Sequence, residues 1–108
     1  MKYLVLIIVC VIFTACSAKL LVPTQADAER GSSRYAGLSL ADLQSGKATY
    51  QSYCDRCHPL KNPEKFTAVE WEKIVPVMVA RVHKKELKIN AQDQDAVLKY
   101  LVTMSKRN

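Results

Sequence analysis

Residues 39–58 read SLADLQSGKATYQSYCDRCH. Leu40, Leu43, Lys47, Tyr50 and Cys54 recur at steps of three and four, the spacing that puts side chains on one face of an α-helix, and Ser39 stands where an N-cap belongs. Gly46 falls inside this helix and weakens it unless a close neighbour leaves no room for a side chain there. Outward along the chain, Thr67 and Glu70 have the spacing of a capping box. Trp71, Ile74, Val75, Met78 and Val82 follow as one apolar stripe. Pro76 within that helix lacks the N–H to bond the carbonyl four residues back, so a kink is expected. Asn90 with Asp93 opens a third helix, with Val97, Tyr100, Leu101 and Met104 on one face. No alternating strand pattern survives. The expected class is all-α, about three helices enclosing a thin core.

The chain has 108 residues, which implies one small domain and excludes a large α/β catalytic scaffold. Its 3 Gly and 4 Pro argue against a turn-rich sandwich or barrel. The net charge is +6, but no aromatic interleaving or nucleic-acid motif accompanies the cations, so DNA or RNA binding is not expected. A folded part of about 70 residues buries little surface, and chains of that size often need a disulfide, a metal or a cofactor as extra core.

Met1 and Lys2 precede an apolar run from Tyr3 to Phe13, too short at ~1.5 Å per residue to cross a hydrocarbon core of ~30 Å. Residues 1–15 therefore read as a signal peptide. Ala15-Cys16 resembles the lipobox of bacterial lipoproteins, with Phe13 where that family usually has Leu. That resemblance implies a diacylglycerol on the Cys16 thiol and anchoring on the periplasmic side of a bacterial membrane. Cleavage after Ala18, or an uncleaved anchor extended by Leu20, Leu21 and Val22, are the rival readings. Residues 16–38 show no sustained period and are expected to form a flexible tether; the 22 residues after Cys16, at ~3.3 Å each, reach about 70 Å. The folded domain is then 39–108.

Cys54-Asp55-Arg56-Cys57-His58 is the C-x-x-C-H signature of haem attachment. Two thiols on one turn reach the two vinyl groups along a porphyrin edge, and the adjacent imidazole of His58 binds iron. Export suits this chemistry, since free thiols are disfavoured in an oxidising compartment and capped ones are safe. A zinc site would need four ligands, and the other cysteines, Cys10 and Cys16, lie in the targeting segment. A thioredoxin-like dithiol would need a βαβ surround, and a disulfide across two residues is strained and leaves His58 unexplained.

With these residues in view, Ser39 to the C-terminus resembles the small monohaem members of the class I cytochromes c. The likeness lies in Gly46 and Tyr50 before the motif, the motif itself, and a last helix ending in Tyr100 and Leu101. It implies one covalent haem c with iron, a right-angle crossing of first and last helices at a small residue, and a proline carbonyl (Pro63 or Pro59) that accepts from the ligating histidine. It also implies an electron carrier with both axial positions filled, not an enzyme, with redox proteins as partners and no small-molecule substrate.

For the sixth ligand the family usually places a methionine in the loop before the last helix, and this chain has none there. Small exported haem domains with a spacing like Trp71 to Met78 look similar, and there the methionine binds iron. Met78 is thus the expected distal ligand, His83 the alternative, and Met104 a packing residue. Trp71 is either a core aromatic or a donor to a haem propionate. Arg81, Lys84, Lys85 and Lys88 form either a solvated helix end or a surface that steers an acidic partner. A haem enzyme or gas sensor with an open distal site, an accessory haem subunit of a larger oxidoreductase, and a non-redox lipoprotein are the competing functions.

Overall fold

The structure is a computed structural model and describes residues 20–54, 60–85 and 88–107. It is helical: α1 spans Gln25–Gly31, α2 Leu40–Cys54, α3 Ala68–Lys84 and α4 Ala91–Thr103, with a 3₁₀ turn at Pro63–Lys65. Among the described residues there is no strand, only one isolated bridge between Thr67 and Lys106.

Each helix start follows from local chemistry. The Ser39 hydroxyl accepts from the Asp42 N–H at 3.1 Å while the Asp42 carboxylate accepts from the Ser39 N–H at 2.9 Å, which opens α2. Thr67 and Glu70 make the same reciprocal pair at α3, and Asn90 caps α4 by accepting from the Asp93 N–H at 2.7 Å. These three starts match the sequence reading. Pro76 does not end α3, which continues to Lys84.

The core lies where α2, α3 and α4 meet. Tyr50, Trp71, Val75, Val97, Tyr100, Leu101, Val102 and Met104 form its buried cluster. Met104 is there as packing, as expected. Gly46 sits at the contact of α2 with α4: a Cβ at this position would run into the carbonyl oxygen of Ala96 and lie 2.7 Å from the Tyr100 Cβ. The helix-weakening residue is therefore kept by close approach of two backbones, not by a turn. The Tyr50 and Tyr100 rings also meet, with centroids 6.3 Å apart and planes tilted by 49°.

The segment expected as a flexible tether, 16–38, is from residue 20 onward part of the folded body. Thr24 and Asp27 form a capping box that starts α1, and Ala28 and Gly31 are buried. The Leu21 carbonyl accepts from the Tyr100 hydroxyl at 2.7 Å, and the Leu21 N–H donates to Asn62 Oδ1 at 3.0 Å. Arg30 donates to the Thr103 carbonyl at 3.0 Å, and Arg34 pairs with Glu72 at 3.1 Å. Leu20 and Leu21 are half-buried and pack on the core cluster.

Candidate functional site

Helix α2 delivers the C-x-x-C-H motif: its last residue is Cys54. The side chain of Cys54, and Cys57, His58 and Pro59, lie outside the described residues, as do residues 1–15 and Cys16. What is described is the frame on either side. The chain re-emerges at Leu60, and two aromatic side chains fix its return. Tyr50, one turn before Cys54, donates its hydroxyl to the Lys61 carbonyl at 2.8 Å. Trp71, the first buried residue of α3, donates its indole Nε1–H to the Pro63 carbonyl at 2.7 Å. Trp71 is 1% exposed and meets Tyr50 and Phe66 edge to face at 6.3 and 5.1 Å. Burial of such a donor requires a partner, and the loop carbonyl is it.

Trp71 is thus a core aromatic whose indole N–H donates to Pro63. Pro63 is buried, and one lone pair of its carbonyl is already taken by the indole.

Of the two distal candidates, Met78 lies one turn beyond Ile74 on α3; both are half-buried and pack on the core cluster. Tyr53 and Leu60, which border the motif in sequence, are half-buried against the same cluster. The described apolar residues nearest the motif thus keep part of their surface outside the protein core. His83 is directed elsewhere. Its Nε2–H donates to the Ile89 carbonyl at 3.1 Å, tying the end of α3 to the approach of α4. Only the Nδ1 side of that ring remains an acceptor. His83 and Ile89, with Lys88 and Asn90, border a cavity of about 890 Å³. The structure therefore does not bring Met78 and His83 together in one role.

Arg81, Lys84, Lys85 and Lys88 are all exposed, and among the described residues none of them is ion-paired. The Tyr100 phenol is pushed far above its ordinary pKa by burial, with the nearby Tyr50 adding to the effect, and stays neutral as donor to Leu21. Among the described residues no helix is long and apolar enough to cross a membrane. The Tyr50 and Tyr100 clasps were not foreseen. Their aromatic positions were visible in the sequence, but their carbonyl partners depend on loop paths that no spacing specifies.

Set against protein-family models, curated proteins and solved structures, the chain finds no match.

Proposed function

We propose that this protein is an exported monohaem c-type cytochrome, anchored through lipid on Cys16 at the periplasmic side of a bacterial membrane, that passes single electrons between redox proteins. The observation that carries the reading is the Cys54/Cys57/His58 motif, opened by the end of α2 and followed by a chain pinned at Lys61 and Pro63. The donor set fits the group: two thiols for thioethers and a neutral imidazole for iron. The half-buried Tyr53, Leu60, Ile74 and Met78 offer the apolar contact a macrocycle needs.

When bound, haem supplies reversible one-electron chemistry at iron. The chain's own residues do the rest. Cys54 and Cys57 would hold the cofactor through thioethers, and His58 would supply an imidazole to its iron. Met78, half-buried on α3, would supply the thioether ligand, with His83 as the alternative, since its Nε2–H donates to the Ile89 carbonyl and its Nδ1 is left as an acceptor. A thioether in that position favours the ferrous state relative to a second imidazole and leaves no site for substrate. Trp71 and Tyr50 hold the return of the loop, which keeps the proximal side in place. The exposed cations Arg81, Lys84, Lys85 and Lys88 suit an acidic partner, whose association rate would fall with ionic strength.

Absorption spectra of the oxidised and reduced protein test the reading. A low-spin haem c spectrum with the thioether–iron charge-transfer band is expected. Rapid carbon monoxide binding by the reduced protein would instead indicate an open distal site, and a colourless protein from a host competent in haem attachment would end the proposal.

A further inference from the structure

The expected tether gave the domain about 70 Å of freedom, whereas the described fold takes up that tether from Leu20 onward. Leu21 is bonded on both sides, to Tyr100 and to Asn62, and α1 is clamped by Arg30 to Thr103 and by Arg34 to Glu72. Between Cys16 and Leu20 lie only residues 17–19, whose fully extended reach is about 14 Å. That is about half the width of a domain this size, so a lipid on Cys16 leaves the domain no room to swing clear.

The surface around this point of entry has the composition of a lipid-facing patch. Leu21, Lys65, Lys106 and Arg107 border one cleft of about 690 Å³, and Lys61 is exposed next to Asn62. The carboxylates of the cleft are Asp27, which is paired with Arg30 at 2.8 Å, and Glu64. Val22, next to Leu21 in the chain, is 69% exposed, the most exposed large apolar side chain among the described residues. Exposed cations on the side where an anchor enters are attracted to anionic headgroups, over a range of about one Debye length from the membrane.

We infer that the face formed by Leu20–Val22, Lys61, Lys65, Lys106 and Arg107 rests directly on an anionic phospholipid surface, so that the anchor sets the orientation of the domain as well as its location. The inference builds on the lipid-anchor part of the function proposed above and does not depend on the haem.

The test is lysine footprinting of the full-length protein in vesicles of phosphatidylethanolamine with a minority of phosphatidylglycerol, using an amine reagent that does not cross membranes and reading each site by mass spectrometry. Lys61, Lys65 and Lys106 are expected to react several-fold more slowly than in detergent. Lys84 and Lys85, about 25 Å away along α3, should react equally in both. A flexible Gly/Ser insert of about twenty residues between Ala18 and Lys19 should abolish the protection while the protein stays with the vesicles. Equal labelling of all five lysines in anchored protein would overturn the inference. Recovery of the protein in the soluble fraction would overturn it by a different route, through loss of the anchor, and fractionation before labelling tells the two apart. Protection in a colourless protein would sustain this inference while refuting the haem reading.

Discussion

Met78 and His83 sit five residues apart on α3, and their surroundings differ. Met78 is half-buried against the core, whereas His83 spends its Nε2–H on the Ile89 carbonyl. Met78→Ala should therefore open the iron to carbon monoxide or imidazole, visible as new absorption bands, while His83→Ala should leave ligand binding unchanged; the reverse pattern would reassign the ligand. Trp71→Phe keeps the ring contacts but leaves the buried Pro63 carbonyl without its donor, at a cost of about 1–3 kcal/mol, read as a lower denaturation midpoint. The capping carboxylates add a pH dependence. Burial opposes ionisation of Asp27, but hydrogen bonds from Thr24 and Arg30 outweigh it. Asp42 is held by the Ser39 N–H and hydroxyl, and both groups lie below the ordinary carboxylate range. Their ionised forms favour the fold, so this contribution is present above the unfolded pKa of about 3.9 and is lost as pH falls through the lower folded values. Amide protection, relative to the unfolded chain at the same pH, should fall in the first turns of α1 and α2 over that window and stay constant between about pH 5 and 7.

Among the elements, the three starts at Ser39, Thr67 and Asn90 were legible because a cap is a local device, encoded within four residues. The α3 and α4 faces were legible for the same kind of reason, and Trp71, Val75, Val82, Val97, Tyr100 and Leu101 are buried as their spacing requires. Helix α1 was not read, although Thr24 and Asp27 carry the same box. It buries only Ala28 and Gly31, small residues that make no apolar stripe, and its fastenings lie far away at Glu72, Tyr100 and Thr103. Tyr100→Phe should remove one of these, costing about 1 kcal/mol and raising amide exchange over residues 20–31 more than elsewhere. Gly46→Ala improves intrinsic helix propensity by about 1 kcal/mol yet should destabilise by about 1–3 kcal/mol or more, because the new Cβ meets the backbone of Ala96. A rise in the denaturation midpoint of that variant would show that the α2–α4 contact is looser than described.

At the scale of the whole molecule, the described fold is a small helical body with its N-terminal segment wrapped onto it and its chemistry-bearing motif at the end of α2. The all-α class was legible because periodicity is local, and the motif is written in five consecutive residues, of which 55–58 lie outside the described ones. The choice between Met78 and His83 was not legible, because it depends on where α3 points and on what competes for each donor. The central claim is that Cys54 and Cys57 carry one haem. Intact-mass measurement on the protein, purified from a host that attaches haem and then denatured, tests it most directly. The account predicts the mature polypeptide plus one covalently retained haem, with the added mass localised by digestion to the peptide containing Cys54 and Cys57. A denatured chain whose mass is accounted for by polypeptide and lipid alone would contradict it.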